Sequence, residues 1–371
     1  MAEVRITYKY RLYPTRTQVE ALTFQLSEAC RLYNAALQER RDAWRINRVS
    51  LNYYTQSKQL TEIRANGDTG IINAQSAQGV LRRVDKTFKA FFRRVGRKEK
   101  AGFPRFKSHT QYDSLTFPSY GDGCKLIDSK LRLQGIGLIK IKLHRAIEGK
   151  IKTVTVKREC GKWYVCFSVV SECKPLPESF EQIGIDVGLA AFATLSDGTE
   201  IDSPRYYREA QAKLRRAQRK VSRRKKGSNR RHKAVQLLQR AHAHVRQQRA
   251  DFHHKISRWF VNSYGLIAVE DLNVKGMVRN HNLAKSISDA GWSQFFNFLR
   301  YKAENAGREF VEVRPHGTSQ ECLCGADVPK DLSQRWHHCL SCGLSANRDH
   351  VSAQIILARG LRVLASSPIA G

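Results

Sequence analysis

Carboxylates are scarce in this chain: 33 Asp and Glu stand against 65 Lys and Arg, giving a formal charge of +32 and a pI near 10.1. Such a surplus excludes a self-neutralising surface and points to an external polyanion. Nucleic acid fits best, because each phosphate contact releases a condensed counterion; an anionic membrane surface is the rival. A second absence weighs against that rival. No apolar run of about 18 residues occurs, and the opening Met-Ala-Glu-Val-Arg-Ile-Thr-Tyr-Lys alternates polar and apolar residues where a signal peptide would be continuously apolar. The expectation is a soluble cytoplasmic or nucleoid-associated protein without a membrane partner, monomeric by preference. An evenly spread disulfide framework is also missing. Five of the nine cysteines are scattered (Cys30, Cys124, Cys160, Cys166, Cys173), while Cys322, Cys324, Cys339 and Cys342 sit together, as metal ligands do. Cys160 and Cys166 lie in strand-like sequence and read as packed thiols. No internal repeat is evident.

What is present organises into segments. With 371 residues, and about 100–200 residues per domain, the chain holds two or three domains. Val4, Ile6, Tyr8, Tyr10 and Leu12 alternate with basic and polar residues, which predicts a strand ended by Pro14. Thr15 and Gln18 then form a capping-box pattern before a long helix with apolar face Val19, Leu22, Leu26, Ala29, Tyr33 and Leu37. Helical periodicity resumes near residue 73, with Val80, Val84, Phe88, Phe91, Phe92 and Val95, so 15–100 reads as a helical bundle. Gly102-Phe103-Pro104 breaks it. Short strand-like runs follow at 115–117, 130–133, 138–143, 151–156 and 163–170, separated by turns such as Cys160-Gly161-Lys162. They predict a small barrel at 101–175, completed by residues 1–14 and carrying the bundle as an insertion.

After Pro175 and Pro177, residues 183–189 and 191–195 read as a β-hairpin. Residues 205–249 then hold 17 Lys and Arg and one acid, Glu209, half the charge of the whole protein. Spaced Leu214, Val221, Val235, Leu238 and Val245 give helical periodicity, and Lys225-Lys226-Gly227-Ser228-Asn229 reads as a turn. A helical hairpin over 205–260 is expected. Solvated faces usually mix charge signs, and this one does not, so Arg215, Arg216, Arg219, Lys220, Arg223, Arg224, Lys225 and Lys226 are expected to meet a nucleic-acid backbone. A buried strand at 266–269, a helix at 288–306, a strand at 310–313 and a final helix at 349–359 complete the pattern.

Two constellations carry chemistry. Asp186 lies between Ile185 and Val187, Glu270 ends the apolar Leu266–Val269 run, and Asp349 opens the last helix. Each acid sits where apolar core makes an unpaired charge costly. A shared hard cation explains three of them together: two Mg²⁺ ions roughly 3.5–4 Å apart stabilise the attacking and leaving oxygens of a phosphodiester displacement. Read alone, Asp349 could instead be a helix cap. Asp271 competes with Glu270, but alternation along a strand keeps both from facing one metal. The second constellation is Cys322-x-Cys324-Gly325 and Cys339-x-x-Cys342-Gly343, two pairs with metal-ligand spacing that predict one structural Zn²⁺. The first pair is one residue short, so His337 or His338 stands as a substitute ligand.

Taken in order, Gly184-Ile185-Asp186-Val187-Gly188, Val269-Glu270-Asp271-Leu272, Ser286-Ile287-Ser288-Asp289-Ala290-Gly291-Trp292, Thr318-Ser319-Gln320 and Asn347-Arg348-Asp349 resemble the TnpB proteins of bacterial insertion sequences. These are OrfB-like, transposon-encoded relatives of the type V CRISPR nucleases. The resemblance extends from Tyr10-Arg11-Leu12-Tyr13-Pro14 through Gly102-Phe103-Pro104-Arg105-Phe106 to the last helix. It implies an α+β multidomain protein: a wedge barrel with a helical recognition insertion, then an RNase H-like (RuvC) α/β nuclease domain over 176–371. Residues 315–346 would be the zinc-ribbon, target-nucleic-acid-binding insertion. It further implies an RNA-guided DNA endonuclease, whose guide RNA derives from the transposon end and which cuts double-stranded DNA beside a short motif. Asp186, Glu270 and Asp349 match the family's acids. Tyr53, Tyr54 and Gln78 fall in the region expected to read the motif. Two other classes compete: a guide-independent RuvC-like resolvase or transposase, and a catalytically idle RNA-guided repressor, against which the intact acids argue.

Overall fold

The computed structural model describes residues 3–67, 72–331 and 334–366. They fall into two compact units, Glu3–Glu172 and the chain from Cys173 onward.

In the first unit, β1 (Glu3–Tyr13) turns Val4, Tyr8, Tyr10 and Leu12 inward, as period 2 requires. Three helices follow: α1 (Arg16–Asn47), α2 (Tyr53–Ala65) and α3 (Ala74–Gly96). The chain then returns as β2 (Ser114–Phe117), β3 (Cys124–Ile127), β4 (Lys130–Leu133), β5 (Gly137–Lys142), β6 (Lys150–Glu159) and β7 (Lys162–Glu172). The strands form one antiparallel, near-closed barrel sheet in the order β2-β6-β7-β1-β5-β4-β3. The β6–β7 register is fixed by a turn with positive φ at both central residues, Cys160 at 50° and Gly161 at 75°. That geometry matches the right-handed twist of paired strands.

The Thr15–Gln18 capping box forms and starts α1. Helix α1 lays Leu22, Leu26, Ala29 and Tyr33 on the sheet, in one continuous core with Leu115, Phe117, Leu133 and Trp163. Each fully buried Leu or Phe contributes about 1.5–3 kcal/mol. Helix α2, which has no long apolar stripe to announce it, is attached by Leu60 in the core and by polar contacts. Buried Gln56 donates to the Ala36 carbonyl (2.9 Å) and accepts from Arg40 (2.8 Å), whose guanidinium also reaches Asp85 of α3 (3.2 Å).

The second unit is built on a five-stranded sheet, ordered β10-β9-β8-β11-β12. Strands β8 (Gln182–Val187), β9 (Ala191–Leu195) and β10 (Glu200–Asp202) are antiparallel, whereas β8, β11 (Leu266–Glu270) and β12 (Glu309–Val313) run parallel. Between β10 and β11 stand α4 (Tyr206–Ser222) and α5 (Asn229–Ser263); α6 (Val274–Met277), α7 (Ala284–Ala290) and α8 (Trp292–Ala306) follow β11. One sheet face, with Ile183, Ile185, Ile267 and Val269, packs on Phe260, Phe295 and Leu299 of α5 and α8. The other face carries α9 (Arg348–Ser366), whose Ile356 joins Leu266, Ala268 and Val311. The short strands β13 (Trp336–His338) and β14 (Ser345–Asn347) lead into α9.

Two helix expectations are corrected. The single helix at 288–306 is two, because Gly291 takes φ +67° and ends α7 before α8 begins. The last helix does not stop at Arg359 before Gly360. Glycine there reads as a terminator, but α9 runs on to Ser366: a Cβ on Gly360 would lie 2.7 Å from the Ala268 Cβ, so this glycine serves close packing on the sheet.

Candidate active site and zinc centre

Strand alternation and one close helix contact bring the three acids to one side of the sheet. Gly184 of β8 pairs with Ala268 of β11, and both lie under α9. A Cβ on Gly184 would stand 2.1 Å from the Ala353 carbonyl oxygen, so only glycine lets α9 sit this near. Two residues on, Asp186 and Glu270 project from the same face at the carboxyl ends of adjacent parallel strands, where α/β sheets commonly bind ligands. Asp349 is in the first turn of α9.

Asp186 is the acid that feels the other two. Burial first, then the Glu270 and Asp349 charges, push the Asp186 carboxyl well above the carboxylate range, with Arg348 opposing. Glu270 is 8% exposed and also raised by burial, against the Thr318 hydroxyl and the Arg359 charge. Thr318 Oγ1 is hydrogen-bonded to Glu270 Oε1. Asp349 accepts from Arg348 (2.9 Å) and Arg335 (3.4 Å), and its amide donates to Asn347 Oδ1 (2.9 Å). Asp271 is exposed, which leaves Glu270 as the strand-end acid of this cluster. The set offers hard oxygen donors around a buried carboxyl whose charge the other two acids oppose, a donor set suited to Mg²⁺. The three carboxylates do not close to within 4.8 Å of one another. Among the described residues only the four cysteines form so tight a group.

Those four cysteines are placed to hold zinc. Cys322 and Cys342 sulfurs lie 3.6 Å apart, and Cys324 and Cys339 sulfurs 3.7 Å apart. A tetrahedral ion with bonds of about 2.3 Å sets sulfurs about 3.8 Å from one another. The one-residue spacer in the first pair therefore suffices, and neither His337 nor His338 enters the group. His337 is buried, with Nδ1 against the Lys330 amine. The thiols are unlike: burial pushes Cys322 up to about 12, while the Cys342 amide holds Cys339 down at about 6.

The basic hairpin is α4 and α5, turned at Gly227 (φ 81°) and capped by Ser228, which accepts from the Arg231 amide. Leu214, Val221, Ala234 and Val245 are its buried residues along this stretch. Arg231 donates to the Val221 carbonyl (2.7 Å) and closes the end of α4. Arg215, Arg216, Arg219, Lys220, Arg223, Arg224, Lys225 and Lys226 are all exposed. Five of them, Arg216, Arg219, Lys220, Arg223 and Arg224, line a groove. At the hairpin's base, Asp289 does what no local residue does. It accepts from the Tyr207 amide (3.0 Å) at the uncapped start of α4 and from Arg249 (3.2 Å) of α5. In the first unit, Tyr54 is 80% exposed, while Tyr53 and Gln78 are half-buried. Arg82 lies 5.2 Å from the Tyr53 ring.

Three contributors escaped the sequence reading: Thr318 on Glu270, the Arg348 and Arg335 charges on Asp349, and Asp289 under the hairpin. Thr318 and Asp289 stood in motifs that drew notice, but the contacts that give them roles span 48 and 82 residues.

Comparison with known proteins matches three family models. Residues 154–281 fit "Probable transposase" (OrfB of IS605), 292–356 the Cas12f1-like TNB domain, and 1–48 an OrfB "Helix-turn-helix domain". The last description differs from the structure, in which residues 3–47 are one strand and one unbroken helix apart from the link at 14–15. The chain is 32% identical over 382 residues to "Putative RNA-guided DNA endonuclease InsQ" of Escherichia coli (strain K12), covering 96% of this chain and 93% of that one. It is 33% identical over 376 residues to a "Putative RNA-guided DNA endonuclease" of Streptomyces pristinaespiralis, with coverages of 97% and 90%. Among solved structures, the mini-RNA-guided endonuclease CRISPR-Cas phi3 shares the fold, with a TM-score of 0.50, 9% identity, and coverage of 100% of this chain and 94% of that one.

Proposed function

The chain belongs to the TnpB (OrfB-like) family, and from that premise we propose that it is an RNA-guided DNA endonuclease with a RuvC-type, RNase H-like active site. The observation that carries the reading is the gathering of Asp186, Glu270 and Asp349 on one side of the sheet, with Asp186 raised by burial first and then by the other two acids. Surface acids do not couple in this way, and a pure binding protein has no use for the repulsion. Asp186, Glu270 and Asp349 would hold two Mg²⁺ ions. When bound, those ions supply charge stabilisation to the attacking and leaving oxygens of the scissile phosphate.

The chain's own residues do the rest. Thr318 fixes the orientation of Glu270, and α9 brings Asp349 to the strand ends. Arg348 and Arg335, paired with Asp349, are within reach of a phosphate that enters the site. The four cysteines would hold one Zn²⁺ with no open position, so its role is to shape the segment that precedes α9 and not to activate water. The exposed arginines of α4 would bind the guide RNA or its duplex with target DNA by phosphates, leaving sequence to base pairing. The helices of the first unit, with Tyr53, Tyr54 and Gln78, would face the motif beside the target.

The test is direct. RNA that co-purifies with the protein is sequenced, and DNA matching its guide segment is offered with Mg²⁺. Cleavage should require the match, the Mg²⁺ and the RNA. Cleavage without RNA would favour the resolvase reading, and tight binding without cleavage the repressor.

A further inference from the structure

We propose that the open aromatic cluster at the end of α3 is a stacking platform for unpaired bases of a nucleic-acid strand. Helix α3 is fully buried no further than Val84, with Phe88 half-buried against the same core. Beyond that point it still carries Phe88, Phe91 and Phe92, and the chain after the helix folds Phe103 back onto them. Phe103 meets Phe88 at 5.7 Å and Phe91 at 5.4 Å, both edge to face, and Phe91 meets Phe92 at 5.2 Å. Such a cluster normally buries its rings, yet Phe92 is 61% and Phe103 48% exposed. Contiguous apolar surface of this kind marks a place where something docks.

The rim identifies the occupant. Residues 86–107 contain nine Lys and Arg against one acid, Glu99. Arg93 and Arg94 of α3, and Arg97 just after it, are exposed close in sequence to the rings. Aromatic faces bordered by a large excess of positive charge match a ligand that offers π-faces and phosphates together. A duplex hides its base faces and meets only the charges, whereas an unpaired strand meets both. RNA and DNA strands share this chemistry, and the platform needs neither guided cleavage nor the acid cluster.

The experiment is a titration of the full chain, in EDTA and at several salt concentrations, with labelled single-stranded RNA, single-stranded DNA of the same sequence, and their duplex. Replacing Phe92→Ala and Phe103→Ala together should weaken single-strand binding by roughly five-fold or more per ring. Duplex binding and the salt slope should stay as in the parent, since stacking releases no counterions. A loss on only one kind of strand assigns the source. Phe92→Trp keeps the ring and the fold, and its fluorescence should be quenched by a single strand and not by the duplex. Unchanged strand affinity in the double variant overturns the platform. So does an equal loss on the duplex.

Discussion

Gly184→Ala isolates the contact on which the acid cluster depends. The added methyl would lie 2.1 Å from the Ala353 carbonyl oxygen, 2.8 Å from the Leu357 amide and 2.9 Å from its Cβ. Two of these three are backbone atoms of a packed helix, so no rotamer change relieves the overlap and α9 must move off β8. Overpacking of this kind costs about 1–3 kcal/mol, and a backbone clash belongs at the upper end. For a unit of this size, about 3 kcal/mol lowers the melting temperature by roughly 6–12 °C. Gly188→Ala, in the same Gly-Ile-Asp-Val-Gly stretch, is the control: its methyl meets only the Ala191 carbonyl, at 3.2 Å, and φ there is not left-handed. Melting followed by circular dichroism, with DNA cleavage measured well below the transition, separates the two. Gly184→Ala should lose stability and nearly all cleavage because Asp349 is displaced, while Gly188→Ala should shift by under about 1 kcal/mol. A Gly184→Ala protein as stable and active as its parent would refute the argument that α9 positions the third acid.

Asp186 yields a pH prediction. Its carboxyl is raised in the folded protein, so the fold holds a proton that the unfolded chain releases. In metal-free buffer its contribution to stability is present below the ordinary carboxylate range and lost as pH rises through the elevated folded value. Asp186→Asn should flatten that decline, melt above the parent in EDTA at neutral pH, and fail to gain stability from added Mg²⁺. Elemental analysis should find about one zinc per chain, independent of Mg²⁺. Cys339→Ser should lose the metal and destabilise the segment before α9, whereas a zinc-free active preparation would defeat the assignment. Replacing Arg215, Arg216, Arg219, Arg223 and Arg224 with Gln should weaken RNA binding and flatten its slope of log K against log salt, each lost phosphate contact removing roughly 0.7–0.9. The hairpin should stay folded, because Gln keeps helix propensity and the seam residues are untouched. An unchanged slope would mean a merely solvated face.

Legibility in the sequence followed periodicity. The alternation of β1, the Thr15 capping box, the Cys160-Gly161 turn and the two basic helices each rest on contacts within a few residues, and local patterns sufficed. Helix α2 was missed within the helical segment because a single buried Leu60 and the polar Gln56–Arg40 contacts attach it, with no long apolar stripe. Strand β3, Cys124 to Ile127, was missed because it follows Gly121-Asp122-Gly123, which reads as loop. Gly360 misled because glycine signals a helix end, and only the packed sheet shows why it lies inside one. In the site, the three acids were visible as charges set against apolar runs. Their common face follows from β8–β11 register and the approach of α9, neither of which a sequence displays.

The central claim is that three acids form one hydrolytic centre separate from the surface that holds nucleic acid. The measurement that tests it most directly compares Asp186→Ala, Glu270→Ala and Asp349→Ala with the parent, each loaded with guide RNA. Target binding and Mg²⁺-dependent cleavage of matched DNA are followed in the same samples. Each variant should bind target within a few-fold of the parent and show no cleavage. A variant that cuts at the parental rate would remove its residue from the centre, and if that residue is Asp186, the account fails.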